Sequence, residues 1–141
     1  LAADNMMGDA QEFNGIAGPA VFKVFDLEIA KTGLTVKEAE DAGFKPVYKA
    51  IVAKSKAHLF KGAAPVHASF IADSESGKIL GAQMVGRDGE ARRINAAAVA
   101  LQAGMTVDEF YECDLAYAPP FSPVWDPLLT AASLLMKKTG S

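Results

Sequence analysis

Four prolines at positions 119, 120, 123 and 127 are the strongest constraint that this sequence places on its own folding. They lie in the stretch Leu115 to Pro127, which reads LAYAPPFSPVWDP. Proline fixes φ and lacks a backbone N–H, so this stretch can be neither a continuing helix nor a central strand. A backbone restricted in this way indicates that Tyr117, Phe121 and Trp125 are held at a fixed place. On composition alone, a rigid connector before the last helix is the commoner use of such a segment.

Length and composition favour one folded domain and exclude several classes of partner. The chain has 141 residues, of which 50% are hydrophobic, so a real core can form. The net charge of −3 does not favour a nucleic-acid partner. No apolar run approaches the ~18 residues that a membrane span needs. The single cysteine, Cys113, excludes an internal disulfide or CxxC pair and favours a reducing, cytoplasmic location. The chain begins at Leu1 rather than Met and has no signal-peptide pattern, so we expect a fragment.

The order of apolar patterns predicts strands first and helices afterwards. Strands are expected at 21–32 (one or two strands around position 26), 46–53, 66–72 and 78–85, the last two joined by the hairpin loop DSESG. Helices are expected at about 36–42, 91–103, from 107 to about 113, and from 127 onward. Thr35 and Thr106 each begin a capping box, and Pro127 suits a first helical turn. The sequence therefore predicts an α+β domain in which helices cover an antiparallel β-sheet.

The sequence lacks the usual motifs for cofactors and metals. It contains no GxGxxG, no Walker motif, no HExxH and no paired Cys/His spacing. We therefore expect the chain to bind neither FAD nor NAD(P)H by itself, and to hold no metal. His58 and His67 have no carboxylate placed to orient them. The negative charges beside Cys113 disfavour a thiolate, which predicts an inert, partly buried cysteine.

One compact group of charges lies around the start of the long helix. It comprises Arg87, Asp88, Arg92 and Arg93. A solvated surface is the ordinary explanation of such a group. However, arginine opposes the helix dipole at an N-terminus, which indicates that some other demand places it there. A phosphate-bearing substrate or an inter-subunit carboxylate would be such a demand.

Three segments resemble a known family and occur in that family's order. They are FKVFDLEIAKTG (Phe22–Gly33), KILGAQMVGRDG (Lys78–Gly89) and LAYAPPFSPVWDP. Together they resemble the C-terminal dimerisation domain of FAD-dependent pyridine nucleotide-disulfide oxidoreductases, most closely the branch of coenzyme A-disulfide reductases, NADH oxidases and persulfide reductases. The resemblance implies a homodimer whose other domains bind FAD and NAD(P)H. It also implies that residues 1–14 are the remnant of an FAD-domain helix with a linker, and that residues 15–141 are the dimerisation domain.

The resemblance also implies site residues, which would act in the partner subunit. Tyr117 would donate a proton or a hydrogen bond to the substrate, where glutathione reductase-like members have an HPxxSE base. Ala118, Pro119 and Phe121 would lie near the partner's flavin. Leu59 and Phe60 would contact substrate. The segment HLFKG at 58–62 replaces a YYPG-like segment of coenzyme A-disulfide reductases, so a persulfide, polysulfide, oxygen or peroxide substrate stays open.

Three functions are therefore compatible with the sequence. The first is the dimerisation domain of a flavin-dependent NAD(P)H oxidoreductase, inactive alone, that completes the partner's active site. The second is a free-standing α+β binding or structural module without catalysis. The third is a small independent enzyme that uses Tyr117 and a histidine.

Overall fold

The centre of the domain is one sheet of five antiparallel strands in the order β1-β2-β5-β4-β3. This computed structural model describes residues 5–8, 10–12 and 15–139. The strands are β1 (Ala20–Val24), β2 (Leu27–Gly33), β3 (Pro46–Lys54), β4 (Pro65–Asp73) and β5 (Ile79–Gly86). Each predicted strand is confirmed. The stretch 21–32 forms two strands, joined by a turn at Phe25 and Asp26.

Helices lie between and after the strands, at the predicted places. They are α1 (Val36–Asp41), α2 (Glu90–Gln102), α3 (Val107–Tyr111) and α4 (Pro127–Met136). Both predicted capping boxes are present, at Thr35 with Glu38 and at Thr106 with Glu109. A helix was also expected over the first ten residues. Residues 1–4 and 9 lie outside the described residues, so this expectation stays untested.

Side-chain alternation along the strands gives the sheet two different faces. Ala30, Ala68 and Met84 form one row across β2, β4 and β5, and they are at most 3% exposed. Helices α2 and α4 cover this inner face, and α3 packs on α4. The rings of Phe70 and Phe110 stack there with centroids 5.1 Å apart. The main core therefore lies between the sheet and α2, α3 and α4.

The other face is covered at one end only, where Ala39 of α1 packs on Ile71 and Leu80. Across the middle of the sheet a row of side chains in register remains partly or largely exposed. This row, called the open face below, consists of Phe22, Ile29, Val52, His67 and Val85. A shallow cavity of about 340 Å³ lies over part of it.

The sequence predicts more apolar surface on the helix at 91–103 and on the last helix than a small sheet can cover, and hence a dimer surface there. The structure packs most of these apolar side chains inside the domain. Ala97 and Ala100 of α2, and Leu128 and Leu135 of α4, are at most 1% exposed. Part of the apolar surface that stays uncovered lies on the β1 hairpin and the open face, and Val99 of α2 is also 67% exposed. Phe22 and Phe25 are 54% and 95% exposed.

The close approach of β2 to β5 requires glycine at Gly33. Its φ is +67°, and a Cβ there would lie 2.3 Å from the Leu80 carbonyl oxygen and 2.7 Å from Leu101 Cδ1. We expect Gly33→Ala to lower the free energy of unfolding by ~3 kcal/mol or more, because a backbone oxygen cannot move aside. Denaturant titration of the variant measures this loss.

Gly104 is the matched control. It has φ +69° and open space where a Cβ would be, so Gly104→Ala carries only the left-handed backbone cost of ~1–2 kcal/mol. Equal losses in the two alanine variants would show that the contact with Leu80 and Leu101 does not matter.

Candidate functional site

The proline-rich segment is an irregular chain between α3 and α4, as predicted. Its first half is a tight turn that begins directly after Tyr117. The backbone N–H groups of Phe121 and Ser122 donate to the Ala118 carbonyl, at 2.9 and 3.0 Å. The Ala57 N–H donates to the Pro119 carbonyl at 3.2 Å. The turn is therefore attached both to itself and to the loop after β3.

The second half of the segment is held by α4 and by an aromatic stack. Asp126 is the N-cap of α4, and its Oδ1 accepts from the Leu128 N–H at 2.9 Å. Pro127 occupies the first turn, where its missing N–H costs nothing. The Trp125 ring stacks on the Tyr111 ring with centroids 5.8 Å apart and an interplanar angle of 4°.

A buried arginine joins the two halves of the segment. Arg93 Nε donates to Asp126 Oδ2 at 2.9 Å, and Arg93 Nη2 donates to the Phe121 carbonyl at 2.9 Å. The same guanidinium donates to the carbonyls of Ser55, at 2.7 Å, and Asp88, at 3.2 Å. The side chains of Arg93 and Asp126 are 10% and 12% exposed. Arg93 is therefore needed at the helix start because it binds one carboxylate and three backbone carbonyls of its own chain.

The aromatic side chains of the segment project away from these anchors. Tyr117 is 48% exposed, Phe121 75% and Trp125 56%. Within the described residues, no hydrogen bond to the Tyr117 hydroxyl occurs. A rigid backbone thus presents a free phenol, which can donate a proton or a hydrogen bond to a group outside this domain.

The second predicted group of site residues lies on the loop between β3 and β4. Leu59 is 89% exposed and Phe60 is 43% exposed. The Ala57–Pro119 hydrogen bond joins this loop to the turn that follows Tyr117. The structure therefore brings the two predicted groups next to each other, although they are far apart in the sequence. Their roles toward substrate and flavin stay predictions.

A cavity of about 440 Å³ lies between the segment and the start of α2. Ala116, Pro120 and Ser122 line one side of it. Lys56 and Asp88, also in its wall, form an ion pair at 2.8 Å. Sequence reasoning missed this cavity, because its walls come from four separate parts of the chain. The arginine at the helix start was the one available signal.

The N-terminus of α2 is capped by a residue from β2. Gly89 has no side chain to cap the helix, and Glu28 Oε2 accepts from the N–H groups of Gly89 and Ala91, at 3.1 and 3.2 Å. These N–H groups are the donors with which a helix start could bind a phosphate. They already have an anionic acceptor.

Glu90 is a fully buried carboxyl beside this cap. Its Oε2 accepts from the Asp88 N–H at 2.8 Å, and its Oε1 has no hydrogen-bond partner. Burial raises the pKa of Glu90 above its ordinary value, and the charge of Glu28 acts in the same direction, against backbone hydrogen bonds that lower it. The folded domain therefore favours the neutral form of Glu90 more than an exposed glutamate would.

The remaining candidate side chains do not converge on one site. Cys113 is half-buried beside the main core, and its Sγ contacts the Glu109 carbonyl at 3.5 Å. His58 lines a cavity with Trp125, whereas His67 lies on the open face. Among the residues that the structure describes, no cluster of three potential metal ligands occurs. No helix in the described part of the chain is long and apolar enough to cross a membrane.

The fold and the attached proline-rich segment define the class of protein. It is an α+β domain that has one uncovered sheet face and a rigid aromatic loop. A family model described as "Pyridine nucleotide-disulphide oxidoreductase, dimerisation domain" matches residues 19–128, and the chain belongs to this family. This confirms the family to which the three segments were assigned.

Several relatives resemble nearly the whole chain. The chain is 41% identical to the NAD(P)H sulfur oxidoreductase (CoA-dependent) of Pyrococcus furiosus, and the match covers 96% of this chain and 30% of that protein. It is 33% identical to the NADH oxidase of Methanocaldococcus jannaschii, over 98% of this chain and 31% of that protein. The solved NAD-dependent persulfide reductase from A. fulgidus is 37% identical, with a TM-score of 0.89, over 96% of this chain and 25% of that structure. The chain thus spans about a third or less of the length of these relatives.

The buried carboxyl predicts a pH-dependent stability difference. Since the folded pKa of Glu90 is raised, its stabilising contribution is complete below the ordinary value of 4.5 and is lost as pH rises through the folded pKa. Glu90→Gln has no charge to bury. Its stability relative to the parent should therefore increase as pH rises above 4.5, by at most ~1.4 kcal/mol per pH unit. Urea titrations across this range measure the difference.

Glu38 provides a control of opposite sign. The Thr35 N–H and hydroxyl lower the pKa of Glu38, so its contribution is present above the ordinary value and lost as pH falls. Glu38→Gln should therefore be the less stable protein at neutral pH and approach the parent at acid pH. A Glu90→Gln difference that does not vary with pH would contradict a raised pKa of Glu90 in the folded domain.

Proposed function

We propose that this chain is the dimerisation domain of a cytoplasmic, FAD-dependent NAD(P)H oxidoreductase, and that Tyr117 acts in the active site of the partner subunit. On this proposal residues 15–141 form the domain, and residues 1–14 come from the preceding FAD domain and linker. The family of the chain supports the proposal, as do relatives whose names include sulfur, persulfide and NADH oxidoreductases.

The observation that carries the proposal is the rigid presentation of an unpartnered phenol. Hydrogen bonds attach the turn after Tyr117 at Ala57 and Arg93, yet the hydroxyl itself has no hydrogen-bond partner among the residues that the structure describes. A side chain needed only for the core would be buried instead. Holding an acid in a fixed position lowers the entropic cost of reaching the reacting geometry. This is the arrangement that a proton donor to a bound substrate requires.

Uncovered apolar surface supports a homodimer and contacts with the enzyme's other domains. Val21, Phe22 and Phe25 of the β1 hairpin are more than half exposed, and the open face carries further apolar side chains. Contiguous apolar surface of this kind marks protein interfaces. Homo-oligomers of this type are most often two-fold symmetric, so each subunit can lend the same segment to the other.

The flavin and the nicotinamide would be bound outside this chain. Glu28 occupies the backbone donors at the start of α2, which therefore does not fit the pyrophosphate of FAD. The exposed side of Ala118, Pro119 and Phe121 fits a covering role over a flavin held by the partner. When bound, FAD carries reducing equivalents from NAD(P)H to the acceptor. The chain's own contribution is to exclude water and to hold the Tyr117 proton near the substrate.

For the acceptor we propose a small sulfur compound, a persulfide or polysulfide. The redox cysteine that the family resemblance implies in the flavin domain would attack the sulfur–sulfur bond of the substrate as a thiolate and form a new sulfur–sulfur bond. The sulfur displaced from the old bond would take the proton of Tyr117 Oη and depart as a neutral thiol. Two electrons from NAD(P)H, passed through FAD, would reduce the cysteine again, and solvent would return the proton to Tyr117. The names of the similar proteins from P. furiosus and A. fulgidus favour sulfur. An oxygen or peroxide acceptor is the second candidate, because the M. jannaschii relative is an NADH oxidase.

Tyr117→Phe in the full-length enzyme tests the proposal. We expect the dimer and the flavin content to be retained, because the ring stays and only an exposed hydroxyl is removed. Reoxidation of the reduced enzyme by substrate should slow by ~100-fold or more, since one positioned acid is lost. Stopped-flow absorbance follows that step separately from flavin reduction by NAD(P)H.

Cys113→Ser is the control for this experiment. Cys113 is half-buried beside the main core and its Sγ faces the Glu109 carbonyl, and the family resemblance implies that the redox cysteine lies in the flavin domain. Its replacement should therefore leave both half-reactions nearly unchanged. Unaltered reoxidation in Tyr117→Phe would mean that the segment is only scaffold, and a Cys113→Ser enzyme that folds but does not turn over would place redox chemistry in this domain.

A further inference from the structure

Four hydrogen bonds from one side chain join parts of the chain that are distant in sequence. Arg93 of α2 reaches Ser55 at the end of β3, Asp88 in the loop after β5, Phe121 in the proline-rich turn and Asp126 at the start of α4. Three of the four acceptors are backbone carbonyls. Every residue type has a backbone carbonyl, so substitutions do not remove these three acceptors. The side chain that makes this junction possible is therefore the guanidinium of Arg93.

Only arginine has the geometry for this junction. Its guanidinium is planar and offers five N–H donors in a rigid fork, whereas a lysine ammonium is a compact point charge. The Arg93 side chain is 10% exposed and Ser55 is fully buried, so the Ser55 carbonyl would lose its partner inside the protein if the guanidinium moved away. A lysine could keep the charge opposite Asp126, but it could not reach all four acceptors from one position.

The junction acts on both halves of the proline-rich segment. In the turn after Tyr117, the Phe121 N–H donates to the Ala118 carbonyl, and the Phe121 carbonyl accepts from Arg93 Nη2. Asp126, at the far end, is held by the same guanidinium. Between these points the prolines leave the backbone little freedom. A displacement of the guanidinium would therefore shift the whole turn, and Tyr117 with it.

We propose that Arg93 is a positioning residue for Tyr117: it does not touch the substrate but sets the place at which the phenol meets the partner's active site. This inference rests on the proposed function of Tyr117. It adds that the reactivity of the site depends on a buried side chain in a different helix. The 440 Å³ cavity beside the junction offers space into which a loosened turn can move.

Arg93→Lys in the full-length enzyme tests the inference. The charge opposite Asp126 is kept, so the dimer and the flavin content should persist. Reoxidation by substrate should slow ~10- to 100-fold, as expected when a catalytic group is misplaced by about 1 Å. Flavin reduction by NAD(P)H should stay at the parent rate. Hydrogen exchange measured by mass spectrometry should show faster exchange of the Phe121 and Ser122 amides.

A double variant separates positioning from an independent effect. If Arg93 acts through Tyr117, then Arg93→Lys combined with Tyr117→Phe should be no slower than Tyr117→Phe alone. Losses that multiply in the double variant would overturn the inference. Asp126→Asn provides a second, milder variant that keeps an oxygen to cap α4. It should show the same split between half-reactions, with a smaller loss, even if Arg93→Lys fails to fold.

Arg87→Gln is the matched control. Arg87 also pairs with a carboxylate, that of Asp26, but both side chains are more than half exposed, and such pairs contribute little. It should leave both half-reactions unchanged.

The remaining outcomes distinguish the inference from the function on which it rests. A slow Tyr117→Phe enzyme with an Arg93→Lys enzyme at the parent rate would overturn the inference and leave the proposed function standing. An unaffected Tyr117→Phe enzyme would overturn both. Equal slowing of both half-reactions in Arg93→Lys and Asp126→Asn would show a general structural role and contradict positioning.

Discussion

The whole arrangement depends on a sheet that is covered on one face and largely open on the other. Because side chains alternate along each strand, the row of Ala30, Ala68 and Met84 turns toward α2 and α4, while the open face turns away from them. The core needs only the first face. The second face and β1 carry apolar groups that one copy of this domain leaves uncovered. This division suits a domain that one face stabilises through its own core, and whose other face would be covered in an assembly.

The site is built at the edge of the covered side, where α2, the loop after β3 and the proline-rich segment meet. Prolines stiffen the segment before it is attached, and hydrogen bonds to Ala57 and Arg93 then fix its position. These hydrogen bonds are made to backbone groups of the segment, so the ring of Tyr117 stays exposed and can contact another molecule. On the proposed function, the interior of the domain positions the segment, and the exposed aromatic groups act in another subunit.

Local signals in the sequence predicted most of the fold. The capping boxes at Thr35 and Thr106 gave the helix starts, and the loop at 73–77 gave the β4–β5 hairpin. The prolines marked the irregular segment. These signals work because each depends on residues only a few positions apart.

The junction at Arg93 could not be predicted in the same way. Its partners lie at positions 55, 88, 121 and 126, and only the folded chain brings them together. The cap of α2 by Glu28 from β2 could not be predicted for the same reason. The apolar periodicity of α2 and α4 shows that one face of each helix is buried, but not against what. Here the chain's own sheet covers it.

The central claim is that Tyr117 acts across the dimer, and subunit complementation tests it most directly. A full-length subunit carrying Tyr117→Phe would be co-expressed with one that lacks the redox cysteine expected in the flavin domain, and the mixed dimer isolated with two affinity tags. If the tyrosine acts in the partner, one of the two sites in that dimer is intact, so turnover should recover to about half of the parent value. A mixed dimer no more active than either inactive parent would contradict trans action, because it would mean that Tyr117 serves its own subunit.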